Sequence, residues 1–226
     1  MNIKEPPAID IEKICEMFNY PSPKNDGDFA DFFIFNEFTS IPYLVLSSKF
    51  NENKAKGKYF ENDTPNAKDL YGLSKILGEV DKPQSITIRS SIIGRELFHK
   101  TELLEWLIQQ SKLTINGFSN VIYSGVTTNA MAKVVKKILM NHSEISGIFQ
   151  LSSPEISKYD LLNKINDSLN LGVKILKSET PVSNKSLDSA RLTKILNITE
   201  ELQWDNMILD LKNENQKYLN WSDYDI

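Results

Sequence analysis

Tyr71 and Lys75 stand four residues apart in Tyr71-Gly72-Leu73-Ser74-Lys75. A helix turns about 100° per residue, so this spacing stacks the two on one face. A free phenol titrates near ~10, and a neighbouring ammonium favours the phenolate and lowers that value. Such a tyrosine can exchange a proton with an alkoxide near neutral pH. Ser48 lies 23 residues earlier, directly after the apolar run Tyr43 to Ser47. Parallel sheets place ligands beyond the carboxyl ends of their strands. Ser48 is therefore expected to meet Tyr71 over a carbonyl, with Lys75 behind.

The elements that must hold these groups can be read from periodicity. Tyr43 to Ser47 predicts a buried parallel strand. Asp69 to Val80 predicts a helix, with Leu70, Leu73, Ile76, Leu77 and Val80 as its core stripe, opposite Tyr71 and Lys75. Further along, strands are expected at Ser85–Ile92, Val121–Tyr123, Gly147–Leu151 and Val173–Leu176. Helices are expected at Thr101–Lys112, Thr128–Met140, Ser157–Leu169, Asp188–Leu196 and Asp205–Tyr218. Ser157 and Asp160 form a capping pattern. Strands alternating with helices indicate an α/β fold with a parallel sheet. Trp106 reads as core beside Leu103 and Leu107, and Lys133, Lys136 and Lys137 read as a solvated helix face.

The chain has 226 residues, 40% apolar and 25% charged, ordinary values for a globular protein. A formal charge of -4 argues against a general nucleic-acid binder. No apolar run is long enough for a bilayer and no secretory signal is visible, so no membrane partner and a cytoplasmic location are expected. One cysteine, Cys15, excludes an internal disulfide and suits a reducing compartment. With only His99 and His142 beside it, no metal is expected. The first 40 residues differ from the rest. Pro6-Pro7 and Pro21-Ser22-Pro23 interrupt them, a short helix is expected over Ile9–Phe18, and periodicity leaves Asp28–Phe38 open between helix and strand. Phe29, Phe32, Phe33, Phe35 and Phe38 in that stretch read either as core or as an apolar patch for a partner.

From Tyr43 to Trp204 the sequence resembles the extended short-chain dehydrogenase/reductases, most nearly the dTDP-4-dehydrorhamnose reductases and their nucleotide-sugar relatives. The resemblance rests on Leu46-Ser47-Ser48, on Gly57-Lys58-Tyr59, and on Asp69-Leu70-Tyr71-Gly72-Leu73-Ser74-Lys75 continuing to Glu79. It continues through Ile88-Arg89-Ser90-Ser91-Ile92-Ile93-Gly94-Arg95, Ser124-Gly125-Val126-Thr127, Ser152-Ser153-Pro154-Glu155-Ile156-Ser157 and Ser186-Leu187-Asp188-Ser189. It implies a Rossmann-type parallel sheet with helices on both faces and a small C-terminal substrate-binding part. On that pattern residues 1–40 are a divergent N-terminal segment, 41–93 and 146–153 a remnant Rossmann-type core, and 94–145 with 154–226 the substrate-binding part.

The roles implied by the resemblance follow residue by residue. Tyr71 would be the general acid, Lys75 would tune it and hold the nicotinamide ribose, and Ser48 would orient the carbonyl. Arg89, Ser91 and Ile92 would join Tyr71 and Lys75 around an NADP or NAD coenzyme, although Arg89 and Arg95 read equally well as ordinary salt-bridge partners. Ile93, Gly94, Arg95, Ser124 and Arg191 would join Ser48 around a nucleotide-sugar.

The sequence departs from the family in two places. No glycine-rich fingerprint can be written ahead of Ser48, since Gly27 is the only glycine before it. A coenzyme phosphate needs such a turn because side chains block the backbone's approach. The 47 residues before Ser48 are also too few for the family's first strands, so the Rossmann-type sheet is expected to be incomplete. Lys49-Phe50-Asn51 stands where relatives usually carry an acidic residue and then an aromatic two positions further on. Three accounts fit: a reductase part whose cofactor half lies on another polypeptide, a nucleotide-sugar-binding protein or reductase-associated subunit without redox chemistry, or a decayed gene product. The first implies reduction of a keto nucleotide-sugar in deoxysugar or surface-polysaccharide synthesis. An uncovered sheet edge beside Tyr43–Ser47 would invite a second copy or a partner reductase.

Overall fold

The structure, a computed structural model, describes residues 43–47, 57–65, 70–83, 85–96 and 100–221. For 43–47, 70–71, 73–74 and 217–221 the description is of the backbone. The expectations for residues 1–40 and for Ser48 lie outside the described residues.

The elements run β1 (Tyr43–Ser47), α1 (Leu70–Leu77), β2 (Ser85–Arg89), β3 (Ile92–Ile93), α2 (Leu103–Gln109), β4 (Thr114–Phe118), β5 (Val121–Tyr123), β6 (Val126–Thr127), α3 (Thr128–Asn141), β7 (Gly147–Gln150), β8 (Ile156–Ser157), α4 (Lys158–Leu169), β9 (Lys174–Ser178), β10 (Ser183–Asn184), α5 (Ala190–Leu196) and α6 (Trp204–Trp221). Strands β1, β2 and β7 form one parallel sheet in that order. Its register sets Ser47 beside Arg89 and Arg89 beside Gln150. Three small sheets complete the described architecture: β10–β5–β8, β3–β6 and β4–β9. This is the α/β fold with parallel strands that the alternation predicts, with an incomplete main sheet among the described residues.

The core follows the helical period. Met131, Val134 and Ile138 of α3 and Leu161, Leu162 and Ile165 of α4 are buried, the spacing of one apolar stripe per helix. Ile86, Ile88 and Phe149 from β2 and β7 belong to the same cluster, as do Leu192 and Leu196 of α5 and Met207 and Leu211 of α6. Trp106 packs against it. Helix α4 starts as its sequence predicts: Ser157 Oγ accepts from Asp160 N at 3.0 Å and donates to Asp160 Oδ2 at 2.6 Å. It stops at Asn170, in the left-handed region at φ 54°.

Three departures from the sequence reading have physical causes. The strand expected over Ser85–Ile92 breaks at Ser90. Leu151 N there donates to Arg89 O at 2.9 Å and Ser90 Oγ to Leu151 O at 2.9 Å, after which Ile92–Ile93 pairs with β6 in another sheet. The helix expected to reach Val80 ends at Leu77, because Val80 N donates instead to Thr87 Oγ1 at 3.1 Å. Strand β4 was not expected at all. Asn116 and Gly117 weaken its propensity, and its long-range pairing with β9 overrides them.

Candidate active site

Helix α1 carries Tyr71 and, one turn later, Lys75. Among its described side chains the burial does not follow the expected apolar stripe. Gly72 is buried and Lys75 is 5% exposed, while Leu77 is 79% exposed and Ile76 half-buried. The helix therefore turns its Gly72–Lys75 side inward.

The reason lies in the strand that follows. Side chains alternate along β2. Ile86 and Ile88 enter the apolar cluster, and Ser85, Thr87 and Arg89 take the other face. All three grip the segment that closes α1. Ser85 Oγ donates to Lys82 O at 2.6 Å, and Thr87 Oγ1 donates to Val80 O at 2.9 Å. Arg89 holds both oxygens of Glu79, Nε to Oε1 at 2.8 Å and Nη2 to Oε2 at 3.0 Å. Its remaining arm, Nη1, donates to Glu61 O at 2.9 Å. Glu61 Oε1 in turn accepts from Gln150 N at 3.2 Å. The Gln150 side-chain amide is fully buried and neither end has a hydrogen-bond partner among the described residues.

Past β2 the expected pocket residues separate into several environments. Ser91 is half-buried, Ile92 exposed and Ile93 buried. A Cβ at Gly94 would lie 2.4 Å from Thr128 Cγ2, so glycine is required for that close approach. Arg95 donates to the buried Glu105 at 2.5 Å and to Asn215 Oδ1, tying the 94–96 segment to α2 and α6. Glu96 accepts from Thr101 N and Glu102 N at the start of α2. Ser124 is buried, and its Oγ accepts from Leu187 N at 2.9 Å. The Arg191 guanidinium sits 4.1 Å from the Phe149 ring centre and donates to Ile148 O at 3.3 Å. The structure thus brings Arg89 to the α1 side of the sheet and Arg191 to its opposite, apolar face. Ser48 lies outside the described residues, and of Tyr71 the structure gives the helical position.

Sequence reasoning missed a second phenol–ammonium pair. The Lys158 ammonium is 5.6 Å from the Tyr123 ring centre. Burial pushes the Tyr123 phenol up to about 12, a shift softened by its hydrogen bond with the Ser91 side chain. Burial also lowers the Lys158 ammonium. A phenol held this high stays protonated at neutral pH and is a poor proton donor. Gly125 makes room for it, since a Cβ there would meet Tyr123 Oη at 2.1 Å. Glu61, Glu79 and Gln150 were also missed. The four-residue step from Tyr71 to Lys75 to Glu79 was the available signal for Glu79.

An open cleft of about 350 Å³ lies elsewhere, lined by Lys58, Ser152, Ser153, Glu155, Asp188 and Ser189 among others. Its hydroxyls bond mostly to backbone carbonyls, as Ser152 Oγ does to Leu187 O at 2.9 Å, with a 3.0 Å contact between Ser152 and Ser189. Among the described residues, no helix is long and apolar enough to cross a membrane.

No protein-family model matches the sequence, and no curated protein matches it. Solved structures do. A hypothetical dTDP-4-dehydrorhamnose reductase from Sulfolobus tokodaii is 25% identical with a TM-score of 0.57, over 72% of this chain and 60% of that one. A dTDP-4-dehydrorhamnose reductase from Clostridium acetobutylicum is 18% identical with a TM-score of 0.64, over 77% and 66%. The fold is that of the nucleotide-sugar short-chain dehydrogenase/reductases. A dTDP-4-dehydrorhamnose reductase from Bacillus anthracis, solved with NADP, also shares it at 18% identity and a TM-score of 0.62, over 76% and 66%. The chain spans less than two thirds of the length of each of these structures.

A dinucleotide coenzyme makes a specific demand on this fold: a glycine turn leading into a helix N-terminus that receives the pyrophosphate. The described residues do not meet it. The glycines at positive φ are Gly57, Gly147 and Gly172. Gly147 opens a strand and Gly172 follows a helix. At Gly57 the space of the missing side chain is filled by Asn184, 2.2 Å from a Cβ built there. The described residues therefore hold Tyr71 and the buried Lys75 one turn apart on α1, without a cradle for coenzyme phosphates.

Proposed function

We propose that this chain is the proton-donating and sugar-binding part of a keto nucleotide-sugar reductase acting in deoxysugar or surface-polysaccharide synthesis, with the nicotinamide coenzyme held by other residues or another polypeptide. The observation that carries this reading is α1, where Lys75 is buried one turn beyond Tyr71, beside a parallel sheet in a fold shared with such reductases. In this reading the Tyr71 hydroxyl gives its proton to the oxygen of a sugar carbonyl as that oxygen gains charge. The Lys75 ammonium lowers the cost of the phenolate left behind. Ser48 hydrogen-bonds the same oxygen and orients it. Ser91 and Ile92 border the coenzyme side, and Ile93, Gly94 and Ser124 border the sugar. Arg191 lies beside the nucleotide. Arg95 supports the pocket from behind through Glu105.

A second reading has one observation in its favour, the lack of a glycine phosphate turn among the described residues. It is a nucleotide-sugar-binding or reductase-associated subunit without redox chemistry. Fluorescence titration of the purified chain with NADPH, with and without a dTDP-hexose, separates the two. Saturable NADPH binding, with turnover of a keto sugar that Tyr71→Phe abolishes, supports the reductase. Sugar-nucleotide binding without NADPH binding leaves the reductase reading only with a coenzyme-bearing second polypeptide, and supports the subunit where no added reductase polypeptide restores turnover. Binding of neither removes both.

A further inference from the structure

We propose that Arg89 is a positioning residue for the Tyr71–Lys75 pair, acting through Glu79 rather than by touching coenzyme or sugar. The inference rests on the reading of Tyr71 and Lys75 given above. Tyr71 and Lys75 lie one turn apart on α1, and Glu79 stands two residues past the end of the helix at Leu77. Glu79 N donates to Ile76 O at 3.3 Å, which ties that residue back to the last turn. Lys75 is buried although it is a lysine, while Leu77 of the same helix is exposed. Burying a lysine ahead of a leucine is not what apolar packing alone favours. A polar contact that holds the end of the helix supports that orientation, and the Glu79–Arg89 pair is placed to do so.

The geometry of that pair is suited to the task. Both side chains are nearly enclosed, at 5% and 8% exposure, and the contact is bidentate. Two parallel bonds from a planar guanidinium fix direction as well as distance. Arg89 itself cannot drift, because it ends a central strand with neighbours on both sides. Its third contact, Nη1 to Glu61 O, fastens the 57–65 segment to the same guanidinium. One arginine thus locks the rotation of α1 and the loop that precedes it. With three of its nitrogens so engaged, Arg89 has no exposed face to present to a ligand.

The test uses hydrogen exchange on the full chain, read separately over 57–65, 70–77 and 158–169, with the thermal midpoint measured alongside. Glu79→Gln keeps the volume and removes the charge. It should raise exchange over 70–77 by about tenfold while leaving 57–65 and 158–169 unchanged. Arg89→Lys should raise exchange in both 57–65 and 70–77. The reversed pair, Glu79→Arg with Arg89→Glu, should restore 70–77 but not 57–65, since a carboxylate cannot donate to Glu61 O. A general packing role predicts instead a rise in all three segments that tracks the thermal midpoint. That outcome, or identical patterns for Glu79→Gln and Arg89→Lys, overturns the proposal. If the reversed pair does not fold, the contrast between the two single variants still decides it. None of these readouts needs catalysis or a bound nucleotide, so failure of the reductase reading would leave them interpretable.

Discussion

The two faces of strand β2 are both buried, yet they are built on different principles. On one face, Ile86 and Ile88 join Phe149, Leu107, Val134 and Ile138 in an apolar cluster. On the other, Ser85, Thr87 and Arg89 are as well hidden, and each makes a hydrogen bond to the segment closing α1. Apolar packing is non-directional and tolerates a range of rotations. Hydrogen-bonded and ionic contacts fix an angle, at the cost of desolvating the groups that make them. The fold uses the first kind of face where bulk stability is needed. It uses the second where the helix carrying Tyr71 and Lys75 must keep one orientation.

The largest expected effect breaks the apolar face. Phe149→Ala removes a side chain 2% exposed and the ring that Arg191 covers. Denaturant unfolding should show a loss of about 3–5 kcal/mol. A loss below about 1 kcal/mol would mean that this face is not the main core. Next comes the polar face. Arg89→Met leaves the Glu79 carboxylate enclosed without its guanidinium, and a loss of roughly 3 kcal/mol is expected. Pairing it with Glu79→Leu should recover most of that stability, because an apolar pair of similar volume costs no desolvation. If the double variant is no better than the single one, the cost lies in lost packing and the contrast between the faces weakens. Gln150→Met sharpens the comparison further. It deletes two buried polar atoms that lack partners among the described residues, so the unfolding free energy should rise by about 1 kcal/mol. A fall of that size would show the amide to be hydrogen-bonded in solution. Smallest is Leu77→Ala. At 79% exposure the side chain should contribute within about 0.5 kcal/mol, whereas the stripe inferred from sequence predicts a core-sized loss.

That last case shows where the sequence was legible and where it was not. The capped start of α4 at Ser157–Asp160 and the apolar spacing of α3 are local signals, and the structure follows them. Strands of two residues, such as β3, β6, β8 and β10, carry no period that could be recognised and exist through pairing at a distance. The exposure of Leu77 and the burial of Lys75 escaped the sequence for a similar reason. The leucines and isoleucine of α1 define an apolar stripe, but the segment that closes the helix is held by the polar face of β2, which shows only once Ser85, Thr87 and Arg89 are seen side by side. At the candidate site, the Tyr71–Lys75 spacing and the helix under it were readable. The commitment of Arg89 to Glu79 and of Arg95 to Glu105 was not, because each pairing joins separate elements and an arginine's type does not disclose its partner.

The functional account comes down to whether this chain recognises a nucleotide-sugar. Calorimetric titration of the purified protein with dTDP-rhamnose addresses that without requiring a coenzyme or turnover. The account predicts a saturable, single-site heat that dTMP reproduces only weakly. No heat up to millimolar ligand, at a concentration where the folded state is verified, would contradict it.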